Sequence, residues 1–422
     1  MLGYTGDVGR PCLAAIAVAF GVACSNGDVP PNLLLISIDT LRADRLVCYG
    51  GDAGAGLCGV FENGTRYRWA FSASSTTSPS IASLLTSQHP SDHGVENEMR
   101  SRLAVEAETI AETLRDAGYT TAAFVSNPLL AHRRRFGQGF GVYDDQMSRR
   151  ERNRPHLIER DAAATTDAVL AWAKGEVGEP WFVWVHYQDP HGPYDPPATP
   201  PPRDPAGGER LPVLDRHSGK NGIPAYQVLP GVFTLPGYAA GYRAEIEHLD
   251  RHLVRLVRGL DARGRAPAIL LTADHGEAFG EDGYFFAHGH SLGLDQIRVP
   301  LLMRTAGPSS RGRVVDEAVG GVDVAPTLLA LAGVPVPEAY AGRTLPGSMA
   351  GAPEHAADRP VRAEHWLYTA EVRGARYRAR ARDPRAELPD READLGAHDA
   401  LPSYRATPRD DAAPMATPSA FR

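Results

Sequence analysis

Cysteine is scarce in this chain, which has four cysteines in 422 residues. Cys12 and Cys24 fall within the first thirty residues, and no cysteine has the spacing of a zinc knuckle. Cys48 and Cys58 flank the glycine-rich stretch YGGDAGAGL. In an exported protein these two could form a disulfide bond, and two partly buried free thiols are the alternative. The sequence leaves both possibilities open.

A strong excess of one charge is also missing. The formal net charge is −7, and no long basic stripe is present, so nucleic acid is not expected as a partner. The densest basic stretches are HRRRFG and SRRERNRPH, which either form solvated loops or steer an anionic substrate. The chain shows no internal repeats. With 43% hydrophobic and 23% charged residues, it has the composition of an ordinary globular protein.

Residues 1–30 have the features of an export leader and tether. The apolar run CLAAIAVAFGVACSNG is too short to span a bilayer and ends in small residues before Cys24. This pattern resembles a bacterial lipoprotein signal, with Cys24 as the site of a possible lipid anchor. It predicts an exported protein, either periplasmic or attached to the outer membrane. An uncleaved helix or a misplaced start codon is the alternative.

Apolar runs and helical patterns alternate along the rest of the chain. NLLLISI, TAAFVS, WFVWVH, AILLTA and VPLLMRT have the continuous apolar character of strands covered on both faces, and helical patterns lie between several of them. This alternation predicts an α/β fold with a large, mostly parallel sheet and helices on both faces. We expect a catalytic domain over residues 31–346, a small α+β subdomain over 347–405, and a disordered tail over 406–422.

Polar residues follow the predicted strands at the points where the strands end. Asp39 follows the first run, His186 and His191 follow another, and Asp274 and His275 follow a third. The carboxyl ends of parallel strands meet at one edge of a sheet, where binding crevices lie. Carboxylates and imidazole suit zinc or manganese, or calcium if more oxygens join. Each residue alone has an ordinary structural explanation, but their common placement predicts a divalent metal site.

The stretch SSTTSPSIASLLTS, residues 74–87, raises a different question. Pro79 suits the first helical position and Ser78 the N-cap before it, and the apolar residues that follow recur at helical spacing. Thr77 would then lie just ahead of a helix N-terminus, where free N–H groups favour negative charge. A nearby metal would lower the pKa of its hydroxyl. His191 and His288 could bind ester oxygens or protonate a leaving group.

Six blocks of the chain, taken together, resemble the signature blocks of the sulfatase family, which belongs to the alkaline phosphatase superfamily. They occur in the family's order between residues 31 and 346, and they are PNLLLISIDTLRADRLVCYG, TTSPSIASLLTSQHPSDHGV, GYTTAAFVSNP, VHYQDPHGPYDPP, LTADHGEAFGEDGYFFAHGHSLGLDQIRVPLL and VDVAPTLLALAGVPVPEAYAGRTL. The resemblance implies an alkaline phosphatase-like fold and a metal-dependent ester hydrolase with a covalent intermediate.

The resemblance also assigns roles to individual residues. Thr77 stands at the position of the nucleophile, His191 at a substrate-binding position, and His288 near the leaving group, with His290 as the alternative. The expected metal ligands are Asp39, Asp274, His275 and Thr77, and the expected substrate-binding residues are Asn127, His186 and His290. The substrate is expected to be a small-molecule or glycan ester of sulfate or phosphate.

The departures from the family pattern bear on the chemistry. Formylglycine sulfatases carry Cys or Ser where this chain has Thr77, and an arginine where it has Ile81. Threonine cannot become formylglycine, so none is expected. The second Asp of the usual pair is Thr40, and the sulfate-binding Lys is replaced by Ser126. Three interpretations stay open: a hydrolase of sulfate or phosphate esters that attacks with Thr77, a phosphodiesterase or phosphoethanolamine-type transferase, and a catalytically weak binding protein.

Overall fold

The computed structural model describes residues 30–98, 101–197, 199–305, 312–349, 359–396 and 399–406. In chain order the strands are β1 (Leu33–Ile38), β2 (Thr65–Tyr67), β3 (Ala70–Phe71), β4 (Thr120–Val125), β5 (Val142–Asp144), β6 (Arg149–Arg150), β7 (Ile158–Glu159), β8 (Trp181–Tyr187), β9 (Ala268–Ala273), β10 (Ala278–Phe279), β11 (Phe285–Ala287), β12 (Arg298–Val299), β13 (Leu301–Arg304), β14 (Arg313–Val315), β15 (Val319–Gly320), β16 (Val361–Glu364), β17 (Tyr368–Arg373), β18 (Arg376–Ala381), β19 (Arg391–Asp394) and β20 (Arg405–Ala406).

The α-helices are α1 (Ala55–Val60), α2 (Thr77–Thr86), α3 (Pro90–His93), α4 (Ile110–Asp116), α5 (Ala162–Ala173), α6 (Leu235–Asp261), α7 (Leu294–Ile297) and α8 (Val324–Ala332). Short 3-10 helices cover Ala43–Arg45, Val47–Tyr49, Pro128–Leu130, His132–Arg134, Ala225–Gln227, Glu281–Gly283 and Gly321–Asp323. None of the helices in the described part of the chain is long and apolar enough to cross a membrane.

The main sheet has eight strands in the order β14-β2-β13-β9-β1-β8-β4-β5. The five strands from β9 to β5 are parallel to one another, and β13 runs antiparallel between β9 and β2. Every residue of β1, β8 and β9 is buried, which explains why these strands are apolar on both faces. The predicted α/β fold with a mostly parallel sheet is confirmed.

The register of the central strands determines which residues meet at the carboxyl edge. Ile38 of β1 pairs with Tyr187 of β8 on one side and with Ala273 of β9 on the other. The backbone N–H of Asp39 donates to the Tyr187 carbonyl at 2.9 Å, and that of Asp274 donates to the Ile38 carbonyl at 3.1 Å. Asp39 and Asp274 therefore directly follow the ends of adjacent strands and lie at the same level of the sheet.

Helix α2 begins two residues earlier than the sequence indicates. Its N-cap is Thr76, whose backbone is extended, and Thr77 is the first helical residue. The prediction of Ser78 as N-cap and Pro79 as first helical residue is therefore wrong. Pro79 fits equally well at the third helical position because the backbone N–H groups of the first turn have no partner inside the helix. The hydroxyl of Ser78 donates weakly to the Glu98 carbonyl, at 3.5 Å.

The C-terminal subdomain is a five-stranded antiparallel sheet, in the order β16-β17-β18-β19-β20. Its buried face forms a second hydrophobic core, to which Trp69, Phe71, Leu292 and Leu294 of the larger domain contribute. Cys48 and Cys58 form a disulfide bond, which is the first of the two alternatives. The leader with Cys24 and the tail beyond residue 406 lie outside the described residues, and the domain boundaries stay predictions.

The start of α4 offers a direct comparison with the start of α2. The Thr109 hydroxyl accepts from the Glu112 backbone N–H at 3.2 Å, and the Glu112 carboxylate accepts from the Thr109 N–H at 3.0 Å. We expect Thr109→Ala to lower the free energy of unfolding by about 1 kcal/mol, because it removes this capping box. Ser78→Ala, which removes no cap, is expected to change it much less. Urea denaturation measures both, and equal losses would contradict the assignment of the caps.

Candidate active site

Asp39, Asp274 and His275 come together at the carboxyl edge of the sheet. All three side chains are buried, and they can offer one ligand atom each within 4.8 Å of one another. His275 Nε2 lies 3.7 Å from Asp39 Oδ1 and 3.7 Å from Asp274 Oδ2. No other group of three potential ligands was found in the part of the chain that the structure describes. The sequence-based grouping is thus reproduced in the geometry.

The hydrogen bonds of these three residues leave one carboxylate oxygen of Asp39 and one of Asp274 without a partner. Asp39 Oδ2 accepts from Asn127 Nδ2 at 2.6 Å, and Asp274 Oδ1 accepts from the His275 N–H at 2.7 Å. Asp39 Oδ1 and Asp274 Oδ2 are buried without a hydrogen-bond partner. His275 Nδ1 donates to the Gly276 carbonyl at 2.9 Å, which leaves Nε2 with its lone pair. Buried acceptors without donors are costly, and a divalent cation held by these two oxygens and by His275 Nε2 would satisfy both of them.

The two carboxyl groups differ in how they hold a proton. Burial and the neighbouring charge of Asp39 raise the pKa of Asp274 well above its ordinary value. Burial also opposes the charge on Asp39, but the imidazoles of His186, His191 and His275 outweigh it and hold the pKa of Asp39 well below its ordinary value. A bound cation would favour the charged form of both carboxyl groups.

The Thr77 hydroxyl points to the same place. Thr77 Oγ1 lies 3.3 Å from His275 Nε2, and the residue lines a cavity of about 640 Å³. Its backbone N–H, the first of helix α2, donates to Glu98 Oε1 at 2.9 Å. Asp39, Asp274 and His275 are called the metal-ligand group below. An alcohol oxygen beside this group and at a helix N-terminus is well placed to become an alkoxide.

His288 and His191 lie across the cavity from one another, with ring centres 5.4 Å apart. Burial disfavours the charge on His288, but Glu277, whose Oε1 is 3.0 Å from His288 Nδ1, more than offsets this and raises the pKa of His288 to about 9. Burial lowers the pKa of His191, and its Nδ1 donates to the Gly192 carbonyl at 2.7 Å. The cavity therefore has one imidazole that holds a proton and one that accepts hydrogen bonds through Nε2.

The three residues predicted to bind substrate take different positions. Asn127 lines the cavity and donates to Asp39. His186 is fully buried behind Asp39, with its Nδ1 2.9 Å from the Ser37 hydroxyl. His290 stacks on Tyr284 with ring centres 3.6 Å apart and does not line the cavity. Of the doublet His288 and His290, it is His288 that lies at the cavity.

Two glycines allow the close approaches that build the site. A Cβ on Gly276 would lie 2.2 Å from the Asp295 carbonyl oxygen, so only glycine can follow His275 here. Gly289 has a φ of +72°, and a Cβ on it would lie 2.6 Å from the Thr76 side chain. Gly289 thus lets the segment that carries His288 pass directly over the start of helix α2.

Sequence reasoning missed several residues of the site, some of which line the cavity and some of which contact the residues that do. Glu277 stands two positions after His275, where the nearby histidine could have indicated it, whereas nothing in the sequence marks Glu98. The rim of the cavity comes from distant segments, which are the two basic stretches, a proline-rich stretch over residues 195–224 and the C-terminal subdomain. They contribute Arg133, Arg134, Arg154, His156, His217, His365 and Trp366. Both basic stretches thus lie at the cavity.

The fold and this arrangement of carboxylates, imidazoles and a hydroxyl define a protein of the alkaline phosphatase superfamily. The chain belongs to the sulfatase family, whose model matches residues 31–334. The uncharacterized sulfatase YidJ of Escherichia coli (strain K12) is 23% identical over 359 residues, which are 75% of this chain and 70% of YidJ. The predicted family is confirmed, and with it the general class of activity, ester hydrolysis.

Solved structures agree with the fold. The phosphonate monoester hydrolase SpPMH from Silicibacter pomeroyi has a TM-score of 0.65 and 22% identity, over 86% of this chain and 89% of that chain. The structure of BT4656 in complex with its substrate D-glucosamine-2-N,6-O-disulfate has a TM-score of 0.67 and 17% identity, over 87% of this chain and 91% of that chain. At these identities the likeness shows the shared fold.

A test of the metal site uses the thermal stability of the protein. Adding Mn²⁺ or Zn²⁺ after treatment with a chelator is expected to raise Tm, because a ligand at 100 times its Kd stabilises the folded state by about 2.7 kcal/mol. Asp274→Asn is expected to abolish this rise. Asp295→Asn, which alters a buried carboxyl group outside the metal-ligand group, is the control and should keep it. If neither Mn²⁺ nor Zn²⁺ changes the Tm of the unaltered protein, the result contradicts the proposed metal site.

A second group of buried carboxyl groups lies next to His191. Glu159, Asp189 and Glu245 line a small cavity together with His191. Burial raises the pKa of Glu159 to about 8 and the pKa of Asp189 to about 6, and nearby carboxylates add to both shifts. Burial and Asp189 likewise raise the pKa of Glu245 well above its ordinary value.

The raised pKa of Glu159 predicts how stability depends on pH. The folded protein binds this proton more tightly than the unfolded chain, so the stabilisation is full at low pH and is lost as the pH rises through about 8. Between about pH 5 and about pH 8.5, we expect the free energy of unfolding to fall by about 1–2 kcal/mol less in Glu159→Gln than in the unaltered protein. Urea denaturation across this range measures it. The solvent-exposed variant Glu338→Gln should leave the slope unchanged, and an equal effect of both variants would refute the prediction.

Proposed function

We propose that this protein hydrolyses esters of phosphate or sulfate by attack of the Thr77 hydroxyl, with a divalent cation held by Asp39, Asp274 and His275. The observation that carries the proposal is the position of Thr77 Oγ1, 3.3 Å from His275 Nε2 and beside two buried carboxylate oxygens without partners. When bound, the cation would lower the pKa of the hydroxyl and offset the charge of the ester group. The donor atoms suit zinc or manganese, and calcium if further oxygens join.

The side chains around Thr77 have complementary tasks. The Thr77 hydroxyl loses its proton to solvent, and Oγ1 forms a bond to phosphorus or sulfur while the bond to the alcohol oxygen breaks. His288, protonated through its contact with Glu277, gives its proton to the departing alcohol. Water then attacks the ester of Thr77, the hydroxyl is regenerated, and phosphate or sulfate leaves. Asn127 and His191 line the same cavity, where the amide of Asn127 can donate to a non-bridging oxygen and His191 Nε2 can accept from the alcohol.

Phosphoryl transfer suits this site better than sulfuryl transfer. Threonine cannot form the aldehyde hydrate that expels sulfate by elimination. The position of the family arginine is Ile81, which is fully buried in the core and brings no positive charge. The similar structure SpPMH is named a phosphonate monoester hydrolase. Phosphodiesters and phosphonate monoesters are therefore substrates to be tested first, and a transferase that passes the group to another alcohol is the alternative.

The larger part of the substrate would bind at the rim. Trp366 of the C-terminal subdomain is 47% exposed and lines the cavity, so it offers a flat face for stacking. The substrate of BT4656 is a sulfated glucosamine, and the cavity has room for a sugar of that size. We therefore extend the proposal to small-molecule and glycan esters.

We also propose that the protein works outside the cytoplasm, in the periplasm or as a lipoprotein anchored at Cys24. The disulfide bond between Cys48 and Cys58 supports this proposal, because such bonds persist in oxidising compartments. The leader itself lies outside the described residues.

The role of Thr77 is tested with a set of aryl sulfate, phosphate monoester, phosphodiester and phosphonate monoester substrates. Thr77→Ala is expected to lower kcat/KM for the best of them by about 10³-fold or more, because it removes the nucleophile. Thr77→Ser, which keeps a hydroxyl, should retain part of the activity. Circular dichroism and Tm verify that both variants fold.

A covalent intermediate gives a second readout for Thr77. Rapid quenching of the unaltered protein with a slow substrate, followed by mass spectrometry, should show a phosphoryl or sulfuryl group on Thr77 and none in Thr77→Ala. Activity of Thr77→Ala equal to that of the unaltered protein would rule out the proposed nucleophile.

A further inference from the structure

Glu98 lies directly beside the nucleophile of the proposed reaction. Its Oε1 accepts the Thr77 backbone N–H at 2.9 Å. The backbone of Glu98 is held in place, because its carbonyl accepts from Arg134 Nη1 at 2.8 Å and from the Ser78 hydroxyl at 3.5 Å. The residue lines the same cavity as Thr77, His191 and His288. A carboxylate therefore stands at the helix N-terminus that an ester anion would approach.

The other charges close to Thr77 largely balance one another. One divalent cation would match the two carboxylates Asp39 and Asp274. His288 is paired with Glu277 at 3.0 Å. Arg133, Arg134 and Arg154 bring positive charge to the rim of the cavity. The carboxylate of Glu98, by contrast, is in contact with Thr77 itself and adds one negative charge where the reacting group must bind.

That extra charge sets a limit on the charge of the substrate. A phosphate monoester carries nearly two negative charges near neutral pH, because its second pKa is about 6. Sulfate monoesters, phosphodiesters and phosphonate monoesters carry one. Like charges a few ångströms apart in a partly enclosed cavity repel one another strongly, because the cavity screens them less than bulk water does.

We propose that Glu98 is a specificity-determining residue that makes the site select singly charged esters over doubly charged phosphate monoesters. The inference rests on the proposed function, since it takes Thr77 as the reacting group, and it narrows the substrate class of that site.

A purely structural role of Glu98 as the cap of helix α2 makes a different prediction. Both roles use the hydrogen bond from the Thr77 N–H, so Glu98→Ala would not separate them. Glu98→Gln keeps an oxygen that can accept this bond and removes the charge. If Glu98 only caps the helix, Glu98→Gln leaves the preference between anions unchanged.

The test compares two ligands that differ by one charge, phenylphosphonate and methyl phenylphosphonate. Their Kd values are measured by calorimetry at about pH 8, with Mn²⁺ present, in a Thr77→Ala background, which prevents turnover and keeps the backbone N–H. Adding Glu98→Gln is expected to shift the ratio of the two Kd values about tenfold in favour of the doubly charged phenylphosphonate, which corresponds to about 1.4 kcal/mol. Glu96→Gln is the matched control, because Glu96 also lines the cavity, whereas the carboxylate that accepts the Thr77 N–H is that of Glu98. Glu96→Gln should change the ratio of the two Kd values by no more than about twofold.

An unchanged ratio in Glu98→Gln would overturn the inference, and so would an equal shift in Glu96→Gln or a failure of both ligands to bind. No bond is broken in this experiment, so its outcome is independent of whether Thr77 is the nucleophile. A failure of the Thr77 experiments with a tenfold shift here would refute the covalent mechanism and leave the charge selection by Glu98 in place.

Discussion

The site depends on the register of three parallel strands at the centre of the sheet. Because β1 pairs in step with β8 and β9, the chain leaves β1 and β9 at the same level, and Asp39 and Asp274 are forced to be neighbours. A shift of one residue in either pairing would turn one of the two side chains to the opposite face. The strands are apolar on both faces, and helices cover them, so the register is held by the hydrophobic core and needs no bond at the site itself.

The polar interior of the site has a cost that the core must offset. Two carboxyl groups and several imidazoles are buried within a few ångströms, and their free acceptors gain nothing from the protein itself. Hydrogen bonds from neighbouring residues hold these side chains in one orientation. Asn127 donates to Asp39, the Gly276 carbonyl accepts from His275, and Glu277 pairs with His288. Preorganisation of this kind lets a cation or an ester oxygen bind without rearrangement of the side chains.

The sequence predicted the sheet and the metal-ligand group because both follow from local patterns. Apolar runs mark buried strands, and the residues after parallel strands must meet, which is enough to place Asp39, Asp274 and His275 together. The start of α2 was misplaced by two residues, since the five consecutive hydroxyl residues before Pro79 satisfy the capping pattern almost equally. Glu98 and Trp366 could not be predicted as parts of the cavity, because long irregular segments and a second domain bring them there and no periodicity marks them.

The position of β1 in the sheet has a consequence for biosynthesis. Its two neighbours, β8 and β9, lie far later in the chain and are synthesised only after several other elements. Until then a segment that is apolar at every position except Ser37 is exposed on the nascent polypeptide with two open edges, and segments of this kind tend to aggregate. Until β8 and β9 emerge, Leu33–Ile38 is therefore open to pairing with other strands, and their arrival closes both of its edges.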